Sequence, residues 1–151
     1  HLKFNNIKKK QSIDYQYLVK MVSQHFDSVL KNDITNIDQI IIENQPCFKN
    51  PKMKSIQMIV FTYFCLIPFT KYKISFISAS EKLKYCKSEN LIKTIPTEYS
   101  KRKHISVDIT LKLLNDRYNH NLPNIWKKSN KKDDLSDVFL QSLAHFKNIS
   151  T

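Results

Sequence analysis

Three consecutive isoleucines, Ile40, Ile41 and Ile42, lie between Gln39 and Glu43 and constrain the fold more than any other stretch of the chain. β-Branched side chains lose rotamer freedom in a helix and pack well on a pleated sheet. The run therefore predicts a strand buried on both faces, as found inside a parallel or mixed sheet. Such a strand needs neighbours. One other segment has a clear strand pattern, Lys73-Ile74-Ser75-Phe76-Ile77-Ser78, which is short and alternating. Two strands alone leave long unpaired edges, so sheet partners are missing from the segments that read as strands.

The remaining patterned segments read as helices. Ser12 is a candidate N-cap for a helix to about residue 30, with Leu18, Val22, His25 or Phe26, and Val29 on one face. A basic loop from Phe48 to Lys54 leads into the apolar run from Ser55 to Ile67, expected as a core helix ended by Pro68. That run is shorter than the roughly 20 residues that span a bilayer, so no membrane segment is expected. Residues 81–97 are polar and irregular, which predicts a long loop with at most one helical turn. Ile105, Ile109, Leu113 and Leu114 recur at helical spacing between about Tyr99 and Tyr118, behind Lys101, Arg102, Lys103 and His104. After a Pro-interrupted segment with Trp126, a last helix starts near Asp133 and carries Leu135, Val138, Phe139, Leu143 and Phe146 inward. The order is α-β-α-β-α-α, an α/β chain of 151 residues read as one domain, 1–151.

The charge balance points to a polyanion. Twenty-five basic residues face 13 acidic ones, a formal net charge of +12, and nucleic acid is the commonest partner for such an excess. Part of the lysine content, with the abundance of Asn and Ile, is what codon bias in an AT-rich genome would impose. Glycine is absent, which excludes every glycine-dependent phosphate loop. Cys47, Cys65 and Cys86 form no C-x-x-C pair and read as reduced, mostly buried thiols of an intracellular protein. The histidines are scattered, so a zinc cluster is not expected.

Two acidic motifs carry chemistry. An ionised Glu43 at the end of an isoleucine run is costly inside a core, so it either exits into solvent before the turn at Pro46 or serves as a metal ligand at the carboxyl end of the strand, where open α/β sheets place their sites. In Lys131-Lys132-Asp133-Asp134-Leu135-Ser136-Asp137, Asp134 and Asp137 are three apart and share a helix face, where like charges repel by a few tenths of a kcal/mol. Acids in a first helical turn complement the dipole, which explains Asp133 and Asp134 better than Asp137.

Taken in order, Ile42-Glu43-Asn44-Gln45-Pro46, then Asn50-Pro51-Lys52-Met53-Lys54 before an apolar helix, then the Lys132-to-Asp137 helix resemble the RuvC-like Holliday junction resolvases. The nearest branch is that of poxviruses and other large DNA viruses, with mitochondrial relatives, and the resemblance covers residues 12 to 147. It implies an RNase H-like mixed sheet flanked by helices, of which this chain lacks the first three strands. It also implies a metal-dependent endodeoxyribonuclease that cuts four-way DNA junctions with Mg²⁺ or Mn²⁺, two ions together. Glu43, Asp134 and Asp137 match catalytic metal ligands of the family. No residue matches its first Asp, since Asp14 sits in a helix start and Asp38 lies at the wrong end of the strand. Residues 1–151 alone are therefore expected not to cut a junction until an upstream strand bearing an Asp is restored.

The resemblance gives the basic residues a task. Asn44 and Gln45 would orient ligands or touch the DNA backbone, and Lys49, Lys52, Lys54, Lys101, Arg102, Lys103, Lys127, Lys128, Lys131 and Lys132 would line a path for phosphates. A four-way junction has approximate two-fold symmetry, which favours a homodimer. The expected setting is wherever the DNA is processed: a viral replication site in the host cytoplasm, the nucleus or the mitochondrion. The alternatives are a non-catalytic nucleic-acid-binding module, a degenerate RNase H-like relative without the first Asp, and another RNase H-like nuclease such as a transposase.

Overall fold

The computed structural model describes residues 14–30, 33–48, 50–68, 71–119 and 121–150. The chain divides into two compact units, residues 1–76 and 77–151. Helices dominate, and the strands form one small parallel sheet of two.

In the first unit, helix α1 spans Tyr15–Leu30. Ser12 and Lys49 lie outside the described residues; the cap seen at the start of α1 is Asp14, whose Oδ1 accepts a hydrogen bond from Tyr17 N at 2.9 Å. Leu18 and Val22 are buried, and Phe26, one turn further, packs its ring against Phe64 at 5.0 Å and Tyr63 at 5.3 Å. That i, i+4, i+8 line turns Val29 outward, against expectation.

Strand β1 spans Gln39–Asn44, and β2 spans Lys73–Ser78. The isoleucine run is a strand but is not buried on both faces: Ile42 is buried, while Ile40 and Ile41 are half-covered. The cause is the small sheet, on which α2 (Pro51–Leu66) packs against β1. That helix takes in most of the basic loop expected before it. Asn50 Oδ1 accepts from Met53 N at 3.3 Å, and Pro51 occupies the first position, where its missing N–H is no loss. Gln57 and Phe64 are the buried residues of α2, whereas Met58 and Leu66 are exposed, so the apolar helix is covered on one side only.

The second unit is a helical assembly. Helix α3 (Glu81–Ser88) occupies what reads as loop, and its two inward side chains, Leu83 and Cys86, explain why it forms despite a polar sequence. Helix α4 spans Tyr99–Tyr118, α5 spans Asn124–Lys128 around a buried Trp126, and α6 spans Lys132–Ser150. Helix α6 packs on both α3 and α4. Cys86, Ile109 and Leu140 form the buried centre, with Ile105, Leu113, Phe139 and Leu143 around it.

The buried face of α6 is Ser136, Leu140, Gln141 and Ala144; Val138 and Phe146, expected inward, are 64% and 60% exposed. Small side chains decide this. Ser136 on α6, like Ser106 and Thr110 on α4, is fully buried, and the Ser hydroxyls donate back to Lys132 O and Arg102 O one turn earlier. The lack of glycine is met by asparagine: the two described residues with positive φ are Asn90 after α3 and Asn119 after α4, the residue type that tolerates the left-handed region best after glycine.

The cysteine expectation fails at two positions. Cys47 and Cys65 are exposed, and Cys86 alone is buried, where desolvation pushes its thiol up to about 11.

Candidate active site

Glu43 lies one residue from the carboxyl end of β1, half-buried. Its Oε1 accepts a hydrogen bond from Gln45 Nε2 at 2.8 Å. The strand end is tied to α2 through a second amide: Gln57 Oε1 accepts from Gln45 N at 2.8 Å and from Lys54 Nζ at 3.2 Å. Lys54 Nζ also donates to Asn44 Oδ1 at 2.9 Å and lies 5.9 Å from the Phe76 ring centroid. Asn44, Gln45 and Lys54, read from the sequence as nucleic-acid contacts, are thus linked at the strand end, Lys54 to Asn44 directly and to Gln45 through Gln57. Lys52 is exposed in the first turn of α2.

In the second unit, Asp134 is exposed and Asp137 is half-buried, both in the first two turns of α6. Asp137 Oδ1 lies 2.5 Å from Lys82 Nζ of α3, and the Lys82 side chain is only 12% exposed. Asp133 Oδ2 lies 2.7 Å from Lys103 Nζ of α4, and Lys103 also stands 5.3 Å from the Tyr99 ring. The pairing shifts both partners. The Lys103 hydrogen bond holds the Asp133 carboxyl below its ordinary value, and the Asp133 hydrogen bond holds the Lys103 ammonium above its own. Of the other basic candidates, Lys101 pairs with Glu98 at 2.7 Å, Arg102 Nη2 donates to Thr97 O at 3.1 Å, and Lys131 and Lys132 are exposed.

The Lys103–Asp133 pair stabilises the fold over a defined range. A lowered carboxyl contributes above the unfolded value of 3.8 and loses that contribution as pH falls through the folded one; a raised ammonium contributes below 10.5 and loses it as pH rises through the folded one. With both side chains partly exposed, Lys103→Met is expected to cost under about 1 kcal/mol at pH 7. In urea unfolding the difference from wild type should shrink below about pH 4.

A hard divalent cation takes oxygen ligands. Glu43, Asp134 and Asp137 supply carboxylates without thiol or imidazole, and Asp134 is open to solvent. They fit such an ion in donor type, and Lys82 must leave Asp137 Oδ1 for that oxygen to serve. Glu43 belongs to the first unit and the two aspartates to the second. Among the described residues no group of three or more His, Cys, Asp or Glu side chains is gathered closely enough to hold a metal ion. Sequence reasoning missed Gln57, Lys82 and the Lys103–Asp133 pair. A weak signal existed only for Gln57, the one amide in the apolar stretch Ile56 to Leu66.

Comparison with known proteins adds a viral relative. The chain is 32% identical, over an alignment 151 positions long, to an uncharacterized protein of Acanthamoeba polyphaga mimivirus, covering 89% of this chain and 34% of that protein. The chain thus spans about a third of that relative's length. No protein-family model and no solved structure matches it. Among the described residues no helix is long and apolar enough to cross a membrane.

Proposed function

We propose that this chain is part of an RNase H-like, RuvC-related endonuclease that cuts branched DNA, four-way junctions foremost, with Mg²⁺ or Mn²⁺. The observation that carries the reading is Glu43: a carboxylate at the carboxyl end of a parallel strand, braced by Gln45, in the position where α/β sheets put their chemistry. The similarity to a mimivirus protein supports the viral setting of this reading and says nothing of the activity.

Bound divalent cations would activate the attacking water and offset charge on the departing 3′ oxygen. Glu43, Asp134 and Asp137 would hold them. Gln45 orients the Glu43 carboxylate through its side-chain amide, and Lys82 balances the Asp137 charge. Exposed Lys52, Lys101, Lys131 and Lys132 attract the phosphate backbone without reading sequence. Two symmetric cuts in one junction call for a homodimer.

The test is cutting of a synthetic four-way junction in Mg²⁺ by this chain joined to an upstream strand bearing an Asp. Metal-dependent, paired incisions support the reading; binding without cutting contradicts it. A second reading, a non-catalytic nucleic-acid-binding module, is favoured by the Lys82–Asp137 and Lys103–Asp133 pairs, which give these acids a structural use.

A further inference from the structure

Gln57 is 4% exposed on a helix otherwise rich in apolar side chains, an expensive place for an amide. Its orientation is unambiguous, because both neighbours within hydrogen-bond reach, Gln45 N–H and the Lys54 ammonium, are donors and therefore require the oxygen. That oxygen ties α2 to the backbone of Gln45, two residues beyond Glu43. Gln57 Nε2 finds no hydrogen-bond partner among the described residues, so local satisfaction does not explain why an amide stands there. What the side chain achieves is the fixing of Gln45, whose own amide then meets Glu43 Oε1 at 2.8 Å.

We infer that Gln57, with Lys54, is the positioning residue of the candidate site: it clamps the end of β1 to α2 so that Gln45 presents the Glu43 carboxylate to a divalent cation. The inference rests on the reading of Glu43 as a metal ligand. It reassigns Lys54 from phosphate contact to brace, since its ammonium is already shared between Asn44 Oδ1 and Gln57 Oε1. A residue acting behind a ligand in this way typically changes metal affinity by about 10- to 100-fold when removed.

The experiment is Mn²⁺ titration, followed by electron paramagnetic resonance, of residues 1–151 and the variants Gln57→Leu, Gln57→Glu, Gln45→Ala and Glu43→Gln, each checked for folding by circular dichroism. Gln57→Leu and Gln45→Ala are expected to weaken Mn²⁺ binding about 10- to 100-fold. Gln57→Glu, which keeps an acceptor oxygen for Gln45 N–H and Lys54, should stay near wild type. The salt dependence of four-way junction binding should be unchanged in Gln57→Leu, because no phosphate contact is lost. Gln45→Ala changes a half-buried side chain and keeps the test open if Gln57→Leu does not fold. Loss of Mn²⁺ affinity in Glu43→Gln but not in Gln57→Leu or Gln45→Ala overturns the brace alone. No loss in Glu43→Gln overturns the ligand reading and the brace with it. Metal binding that depends on both residues in a protein that never cuts junctions leaves the brace standing and removes the nuclease.

Discussion

Under the proposed function, Glu43→Gln, in a protein that joins this chain to an upstream strand bearing an Asp, is expected to lower metal-dependent cutting of a four-way junction by at least about 100-fold while junction binding is not weakened. The substitution keeps the size of the side chain and an oxygen for Gln45 Nε2, so the corner at the end of β1 stays closed. What disappears is the anionic oxygen that a hard cation requires, and even residues behind a ligand cost about 10- to 100-fold when removed. Single-turnover cutting and gel-shift binding on the same junction read the two effects separately. A parallel loss of binding would mark Glu43 as structural. Asp137→Asn is a less clean version of this experiment, because Lys82, 12% exposed, loses a carboxylate partner and the α3–α6 contact is disturbed as well.

Leu140→Ala is expected to lower unfolding stability by about 3 kcal/mol or more. Leu140 is fully buried in one cluster with Cys86 of α3 and Ile109 of α4, where α6 meets both neighbours. Around this centre Ile105, Leu113, Phe139 and Leu143 are each held by their own helix, which limits how far they can move into the gap. Urea unfolding at pH 7 measures the loss, and a change below about 1 kcal/mol would show that this core collapses onto the cavity or is not the support of α6.

Elements with their own periodic signal were legible in the sequence. The isoleucine strand, the alternating strand from Lys73 and the helices ending at Leu30, Tyr118 and Ser150 all form where their patterns predict. Helix α3 was not legible: Glu81-Lys82-Leu83-Lys84-Tyr85-Cys86-Lys87-Ser88 has two buried side chains, and packing on α6 supplies what propensity does not. Faces were harder than elements. Val29, Val138 and Phe146 read as core because they are apolar, and they lie outside because Leu18, Val22, Ser136, Leu140 and Ala144 define narrower stripes.

For the candidate site, Glu43, Asp134 and Asp137 were legible as acids whose positions needed a reason. The groups that hold them were not. Gln57 reads as an ordinary polar position on an apolar helix until the fold turns it inward, and Lys82 is one lysine among many until α3 brings it to Asp137. A pairing partner far along the chain leaves no mark in local composition.

The proposed function requires Glu43, Asp134 and Asp137 to serve one divalent cation, and a metal that cuts its own surroundings tests this directly. Fe²⁺ substituted for Mg²⁺, with ascorbate and peroxide, generates radicals that cut the polypeptide next to the bound metal, and mass spectrometry maps the breaks. Breaks are expected near both Glu43 and the Asp134–Asp137 turn, suppressed together by excess Mg²⁺. Breaks near one of these segments without the other, or none that Mg²⁺ suppresses, would contradict it.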